Sequence, residues 1–397
     1  MVEGLLGGVR VLDLSQDIAG SFCARLLADY GAEVVKVEPP GGAALRRMGP
    51  FYKDDPHPEK SLLFFVLNLN KLGVTLNIES EGGRKILKEL ARDADVIVET
   101  YKPSYMSSLD LAYDQLEKLN PGLVLTSITP FGQYGPYSRY EGEEIVSYAM
   151  GAIMSISGTR DRAPLKHGGF QAQYEAGLNA AAATSMALFL QGMTGEGQHL
   201  DISTTECVGS TMIANQTLYS FTGATQTRRS PEGSAFGHPM PCADGWVIAQ
   251  TGAGADWNHM ARFFDRPQLL EPRFVEQARS AEYDQELDAV LLDAIKDRGK
   301  RDLFRTASEM RMLFGLVQTP EDLAHCPQLK ARGFFREVDH PVMGKLMVPA
   351  VLFNSSQTPY QPGRPAPLLG QHNLATYRDR MGYTGADLVQ LRQLDII

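Results

Sequence analysis

The first forty residues carry two short apolar segments with an amphipathic segment between them. Residues 9–14 and 33–37 are rich in β-branched and other apolar residues and predict two strands. In residues 21–30 the apolar side chains recur at helical spacing, and Gly31 follows where a helix needs a left-handed cap. Two strands joined by a helix lie parallel with a right-handed crossover, so residues 9–42 predict a β-α-β unit.

The same alternation of strand and helix patterns continues to about residue 203. Further strands are predicted at residues 74–78, 94–99, 123–128 and 199–203, and helices at residues 79–93, 113–119 and 177–191. Such alternation is typical of an α/β protein with a parallel sheet. The last of these helices is unusually rich in alanine, and small side chains allow another element to approach it closely.

Composition changes near residue 222, where a polar stretch containing glycine and proline begins. Residues 222–241 have the composition of a linker. A strand is predicted at residues 246–250, and the chain to about residue 312 has the mixed pattern of a small α+β domain. Strand patterns recur at residues 315–319 and 338–349, and the C-terminal tail ends in a helical pattern.

Bulk composition narrows the class of protein. The chain has 397 residues, enough for more than one core, and is 43% hydrophobic and 21% charged, as in ordinary soluble proteins. Its net charge of −9 argues against a nucleic-acid partner. An anionic ligand must therefore be held by local basic groups or by backbone amides. No segment is long and apolar enough for a membrane span and no secretory leader is evident, so a cytoplasmic protein is expected.

The cysteines and histidines show no metal-site pattern. The four cysteines are scattered without a C-x-x-C pair, and the eight histidines have no ligand-like spacing. This distribution fits a reducing compartment and predicts neither a disulfide framework nor a bound metal.

The β-α-β unit is the first candidate ligand site. At the carboxyl ends of its strands it offers a crevice and the free N–H groups of the helix start, which suit a nucleotide-type ligand. Its loop, residues 15–20, lacks G-x-G-x-x-G, so NAD and FAD are not inferred. Arg46 and Arg47 follow the unit and are either phosphate ligands or solvated side chains. Lys71 is likewise either a ligand of a phosphate or a surface lysine.

Several stretches together resemble the family III CoA-transferases, which include formyl-CoA and carnitine CoA-transferases and the related α-methylacyl-CoA racemases. Each match is short, but they follow the family's order nearly from end to end. The matching stretches are residues 11–14, 19–20, 27–41, 70–71, 94–99, 120–121, 131–137, 197–203, 322, 327–335 and 364–370.

The resemblance implies a fold and a reaction. It implies a Rossmann-like large domain built from both ends of the chain (residues 1–221 and a return segment, 321–397), a smaller domain at residues 222–320, and an interlocked dimer. The implied reaction moves CoA from an acyl-CoA to a free carboxylic acid. An enzyme carboxylate attacks the thioester, giving a mixed anhydride and then an enzyme-bound thioester, and the incoming acid reverses these steps.

The resemblance also assigns residues to the CoA site. CoA would lie along the large domain with its thiol end in a cleft near the subunit boundary. The residues carried over as CoA contacts are Gln16, Ala19, Gly20, Pro39, Lys71 and Lys102. Lys102 stands where the family has an arginine. A flexible glycine-rich loop of some members corresponds to residues 233–237.

The nucleophile position departs from the family. The family aspartate lies in a stretch resembling G-Y-D-L, which here is residues 142–145, so that Glu144 takes its place. Glutamate carries the carboxylate about one methylene further out, and misplacing a reacting atom by ~1 Å costs on the order of 100-fold in rate. Glu144 is therefore either a displaced nucleophile in a reshaped pocket or a structural acid that complements a helix dipole.

Racemase chemistry is excluded by the same comparison. A two-base racemase removes a proton on one face and returns it on the other. Its histidine would fall at Glu143 and its second carboxylate near Gln173, and a glutamine cannot act as that base.

Three functional hypotheses remain. The first is a self-sufficient CoA-transferase that uses Glu144. The second is a non-catalytic subunit of a hetero-oligomer of the benzylsuccinate CoA-transferase type, whose paralogous partner carries the nucleophilic aspartate. The third is a CoA-binding protein that performs no transfer.

Overall fold

The structure is a computed structural model that describes residues 4–228, 238–249, 256–275, 283–349, 352–358 and 363–397. The chain divides into two compact units. The first comprises Met1–Ser155, Leu165–Gln226 and Ala331–Ile397, and the second comprises Ile156–Pro164 and Thr227–Lys330. Residues 233–237, where the family resemblance implies a flexible loop, lie outside the described residues, as does the middle of the predicted linker, residues 229–237.

A six-stranded parallel sheet forms the centre of the first unit. Its strands are β1 (Arg10–Asp13), β2 (Glu33–Glu38), β3 (Leu72–Thr75), β4 (Val96–Glu99), β5 (Val124–Thr129) and β6 (Gln198–Ser203). They lie in the order β3-β2-β1-β4-β5-β6, and every pairing is parallel. The predicted α/β class is thus confirmed. The strand order reverses between β1 and β4, the place where open sheets of this kind bind ligands.

Helices connect and cover these strands. They are α1 (Ile18–Asp29), α2 (Leu62–Leu67), α3 (Glu81–Arg92), α4 (Tyr105–Ser108), α5 (Tyr113–Leu116), α6 (Glu144–Met150), α7 (Gln171–Thr194), α8 (Thr204–Ser210) and α9 (Ile213–Thr222). Several boundaries differ from the sequence prediction, and the contacts explain two of them. Helix α1 begins three residues earlier because the side chain of Asp17 accepts a hydrogen bond from the N–H of Gly20 and caps it. Strand β3 ends at Thr75 because Asn77 N–H donates instead to the carbonyl of Ile396, at 2.7 Å.

Both faces of the sheet are packed. On one face, Val11 and neighbouring strand residues form a core with α1 and α7; on the other, Leu12 and its neighbours pack against α3 and the C-terminal segment. The alternation follows from the opposite orientation of successive side chains in a strand. Helices α1 and α7 approach closely: a Cβ atom at Gly177 would lie 2.5 Å from the carbonyl oxygen of Ala19. The alanine-rich composition of α7 is therefore a packing requirement.

A buried charge cluster lies at the carboxyl end of β1. One oxygen of Asp13 is 3.2 Å from the ammonium of Lys36, and the other is 2.7 Å from that of Lys71. All three side chains are fully buried. Lys36 also donates to the carbonyl of Ser15, and Lys71 donates to the carbonyl of Ser21 at 2.8 Å. The cluster therefore fixes the loop between β1 and α1.

The second unit has its own sheet and core. Strands β7 (Pro239–Cys242), β8 (Gly245–Ala249) and β9 (Phe314–Leu316) form an antiparallel sheet. The helices of this part of the chain are α10 (Trp257–Phe264), α11 (Pro272–Val275), α12 (Asp284–Ile295), α13 (Lys300–Glu309), α14 (Pro320–Ala324) and α15 (Pro327–Ala331). Buried Val247, Phe264 and Leu291 belong to one apolar cluster here.

The C-terminal segment returns to the first unit. It contains the antiparallel hairpin β10 (Phe335–His340) and β11 (Gly344–Pro349), a π-helical segment (Leu374–Arg380) and α16 (Gly385–Gln393). His372 accepts a hydrogen bond from Gly73 N–H at 2.9 Å, and Asn373 accepts one from Thr75 N–H at 2.9 Å. The segment thus covers the outer edge of β3. No helix in the described part of the chain meets the length and hydropathy needed to cross a membrane.

We expect Asp13→Asn to lower the free energy of unfolding by about 3–5 kcal/mol, because it leaves Lys36 and Lys71 buried without a counter-charge. Equilibrium unfolding in urea measures the change. The matched control is Glu337→Gln, which breaks an exposed ion pair with Lys345 (54% and 67% exposed) and should cost less than about 1 kcal/mol. A loss of that small size for Asp13→Asn would contradict a central role for the cluster.

Candidate functional site

Two cavities open at the carboxyl edge of the parallel sheet. The first, here called the β4–β6 cavity, has a volume of about 540 Å³. Its wall includes Asp17, Thr100, Lys102, Thr129, Glu143, Gln173 and Thr204. The second, the β2–β3 cavity, has a volume of about 710 Å³. Its wall includes Gln16, Pro39, Leu76, Glu79, Tyr105 and Asp395. Together they follow the carboxyl edge on both sides of the point where the strand order reverses.

Tyr101 is common to the walls of both cavities. Its ring lies 4.6 Å from that of Tyr105. Its N–H donates to the carboxyl group of Glu99 at 2.7 Å, which fixes the backbone just beyond β4. An elongated ligand that occupies both cavities must therefore pass this side chain.

The start of α1 is held by side chains from two directions. Asp17 accepts from Gly20 N–H at 3.0 Å, and the Oε1 atom of Gln173 accepts from Ala19 N–H at 3.3 Å. Burial raises the pKa of Asp17 to about 6. Asp17 and Gln173 also line the β4–β6 cavity. The side chains that bind the start of α1 therefore also form part of the cavity wall.

Two acidic groups near the cavities differ in their surroundings. Glu99 is buried at the end of β4, and burial raises its pKa to about 7, against the opposing effect of hydrogen bonds from Ser127 and from Tyr101 N–H. Glu141 is exposed and forms an ion pair with Lys102 at the rim of the β4–β6 cavity. Lys102 thus lies at the rim of the cavity, in an exposed ion pair with its neighbour.

Glu144 lies at the start of helix α7 and accepts hydrogen bonds from its backbone. It is the first residue of α6 and is buried, with one carboxylate oxygen accepting from Ala172 N–H and the other from Gln173 N–H, each at 3.1 Å. Lys166 lies 3.7 Å from it. The carboxylate thus fills the positive N-terminus of α7. Among the described wall residues of the β4–β6 cavity are its neighbour Glu143 and its partner Gln173, but not Glu144 itself.

The other residues assigned to CoA by resemblance are divided among three places. Gln16 and Pro39 line the β2–β3 cavity. Ala19 and Gly20 are buried in the first turn of α1, where a Cβ atom at Gly20 would lie 2.5 Å from Thr100. Lys71 belongs to the buried charge cluster and lines neither cavity.

Arg46 is neither a phosphate ligand nor a solvated arginine. It is buried and donates to both oxygens of Glu38, at 2.7 and 2.8 Å. It also forms an ion pair with Glu59 at 2.7 Å and donates to the carbonyl of Pro367 at 2.9 Å. Its role is to join the loop after β2 to the C-terminal segment.

Sequence reasoning missed Asp17 and Thr129 as cavity residues. Asp17 had a readable signal, since an aspartate directly before an apolar helical pattern is a common N-cap. Thr129 had none: it is one of several hydroxyl residues near the end of an apolar strand, and only the packed sheet shows that it borders a cavity.

Comparison with known proteins supplies the family. The model of CoA-transferase family III matches residues 6–373. The chain belongs to this family. It is 32% identical to the succinyl-CoA–D-citramalate CoA-transferase of Chloroflexus aurantiacus, over 99% of this chain and 98% of that protein. It is 30% identical to the succinyl-CoA:(R)-benzylsuccinate CoA-transferase subunit BbsE of Thauera aromatica, over 91% of each.

A solved structure agrees with this assignment. A CAIB/BAIF family protein from Brucella suis superposes with a TM-score of 0.85 at 26% identity, covering 95% of this chain and 99% of that one. Membership of the family implies CoA thioesters as substrates. Within the described residues, no group of three or more His, Cys, Asp or Glu side chains is arranged to hold a metal ion.

We expect Glu144→Ala to lower the free energy of unfolding by about 2 kcal/mol, because two buried N–H groups at the start of α7 lose their acceptor. Thermal or urea unfolding measures it. The matched control is Glu143→Ala, an exposed neighbour that should change stability by less than about 0.5 kcal/mol. Stabilisation on removing Glu144 would instead indicate a strained functional carboxylate.

A second prediction concerns pH. Because the folded chain raises the pKa of Glu99 from 4.5 to about 7, the folded state binds this proton more tightly than the unfolded state. The resulting stabilisation is complete below pH 4.5 and is lost as the pH rises to about 7. Urea unfolding of the wild type and of Glu99→Gln over this range should show their difference changing by up to about 3 kcal/mol. Parallel pH profiles would show that Glu99 does not titrate in this window.

Proposed function

We propose that this chain is an acyl-CoA-binding subunit of a family III CoA-transferase and that a paralogous partner chain supplies the nucleophilic carboxylate. The assembly moves CoA from an acyl-CoA to a free carboxylic acid through an enzyme-bound anhydride and thioester. The observation that carries the proposal is the position of Glu144, which is not among the described wall residues of the cavity and whose two oxygens each accept from a backbone N–H group. In its place α7 presents Gln173 to the cavity, and an amide cannot form the anhydride.

The two cavities suit the two ends of an acyl-CoA. The β2–β3 cavity has apolar and aromatic wall residues (Leu76, Tyr105), against which the adenine ring would pack, and Asp395 offers an acceptor for a hydroxyl or amino group of adenosine. Its described wall residues include no lysine or arginine, so backbone N–H groups would have to hold the phosphates. The β4–β6 cavity, with its hydroxyl groups, takes the thioester and acyl end. The pantetheine arm would pass Tyr101, which borders both.

Exposed apolar surface supports a partner chain. Large apolar side chains project from α7 and α9, including Phe189 (73% exposed) and Phe221 (84% exposed). Met186, Met193 and Ile213 are exposed on the same two helices. Soluble proteins rarely leave such a set of side chains in water, and a second subunit is the usual cover. The proposal takes this subunit as interlocked with the chain, in a homodimer or in a hetero-oligomer with the paralogue.

A second candidate is a self-sufficient enzyme that uses Glu144. The observation in its favour is proximity, since Glu144 is bonded to the N–H of Gln173, a residue of the cavity wall. Release of both hydrogen bonds would bring the carboxylate toward the acyl group. The two candidates differ in which chain becomes acylated.

The test is covalent trapping. The chain is purified alone and together with any paralogous chain encoded beside it, incubated with succinyl-CoA and an acceptor acid, and quenched with hydroxylamine or borohydride. We expect no adduct on the chain alone, and transfer activity with an adduct on an aspartate of the partner in the complex. Mass spectrometry of tryptic peptides identifies the modified residue.

Glu144→Gln provides the matched variant. Glutamine keeps the length of the side chain and one acceptor, and circular dichroism confirms that the variant is folded. The complex containing it should retain transfer within about threefold of wild type, since the proposal gives Glu144 no covalent step. An adduct on Glu144, or loss of trapping in this folded variant, would establish the self-sufficient enzyme instead.

A further inference from the structure

One buried hydroxyl group of the β4–β6 cavity has no hydrogen-bond partner in the protein. Thr129, the last residue of β5, is 3% exposed and lines the cavity, yet its Oγ1 atom bonds to no group in the described part of the chain. Leaving a buried polar group unpaired is unfavourable, and the great majority in native proteins are paired. The Oγ1 atom itself is buried, but rotation about the Cα–Cβ bond would turn it toward the cavity, where a ligand atom would become its partner.

The other hydroxyl groups of β5 are paired. Thr126 bonds to Thr184 on α7 at 2.8 Å, and Ser127 bonds to His199 on β6 at 2.8 Å. Both of these partners lie within the packed protein. Thr129 differs only in its place at the carboxyl end of the strand, where the wall faces the cavity. The hydroxyl groups within β5 are thus bonded to the protein, whereas the hydroxyl at its carboxyl end, on Thr129, is unpaired.

We propose that the Thr129 hydroxyl donates a hydrogen bond to the carbonyl oxygen of the acyl group when acyl-CoA is bound. This inference rests on the proposed function, because it takes the β4–β6 cavity as the acyl end of the site. A hydroxyl can donate to a carbonyl oxygen, whereas free CoA ends in a thiol, which is only a weak acceptor. Thr129 is therefore a positioning residue that distinguishes an acyl-CoA from CoA itself.

The choice of ligand atom follows from the location of Thr129. The β2–β3 cavity, which suits adenosine, does not include this residue. Its neighbours in the β4–β6 cavity include Thr100, whose hydroxyl accepts from Gln16 N–H at 3.0 Å and donates to the carboxylate of Asp17. Thr100 is thus committed to the loop after β1, and Thr129 is left to bind the ligand.

The test compares two ligands and two variants by isothermal titration calorimetry. The full chain, in the oligomer in which it purifies, is titrated with succinyl-CoA and with free CoA. Thr129→Val removes the hydroxyl and keeps the shape, and Thr129→Ser restores it. We expect Val to weaken succinyl-CoA binding about 3- to 10-fold, the effect of one neutral hydrogen bond. Free CoA should bind within twofold of wild type, and Ser should restore succinyl-CoA binding.

Two controls separate this role from a structural one. Thr126→Val leaves the Thr184 hydroxyl unpaired, so it should lower the melting temperature without changing either affinity. Thr205→Val removes another unpaired hydroxyl that does not line the cavity, so it should leave both affinities unchanged. Thr129→Val should not lower the melting temperature, since the hydroxyl it removes bonds to nothing in the protein.

The outcomes that overturn the inference are distinct from those that overturn the function. If wild type binds both ligands and Thr129→Val binds succinyl-CoA equally well, the inference alone is wrong. Equal weakening for succinyl-CoA and CoA would show a general distortion and would also overturn it. A wild-type chain that binds neither ligand would overturn the proposed function and this inference with it.

Discussion

The structure of the ligand edge depends on a single buried carboxylate. Asp13 lies between the ammonium groups of Lys36 and Lys71, and neither lysine has access to water. Because each lysine also donates to a backbone carbonyl, at Ser15 and at Ser21, the cluster ties three adjacent strands to the loop where α1 begins. Two buried cations around one anion leave an excess positive charge, and burial lowers the pKa of Lys71 to about 8. Burial raises the pKa of Asp17, which borders the cavity, and the charge of Lys36 partly opposes this rise.

The two helix starts at the site are coupled through side chains. Glu144 receives the first N–H groups of α7, and Gln173 on that turn receives the N–H of Ala19 in α1. The cavity wall is thus built by a chain of contacts from α6 through α7 to α1. A carboxylate used in this way holds the start of α7 in place beside the cavity wall.

The sequence predicts the fold well because the fold depends on patterns that lie close together in the chain. Buried parallel strands read as apolar runs, and residues 9–42 show strand, helix, cap and strand in succession. The length of α7 was underestimated, since its first turn, at Gln171, precedes the alanine-rich part. The burial of Lys71 could not be predicted, because its counter-charge, Asp13, lies 58 residues away in the chain. A lysine beside an apolar segment is usually at the surface. For Glu144 the sequence left two roles open, a displaced nucleophile and a structural acid at a helix. Its hydrogen bonds to the N–H groups of Ala172 and Gln173 became visible only in the structure.

Under the proposed function, this transferase fold keeps its substrate groove while a partner chain carries the covalent chemistry. The groove depends on Asp13, Tyr101 and the helix starts, none of which needs to form a covalent bond with substrate. A nucleophile, in contrast, needs a carboxylate free to move toward the thioester, and the one at residue 144 is held by two N–H groups. The groove and the nucleophile thus depend on different residues. A subunit of an oligomer can therefore lose the nucleophile and keep the groove.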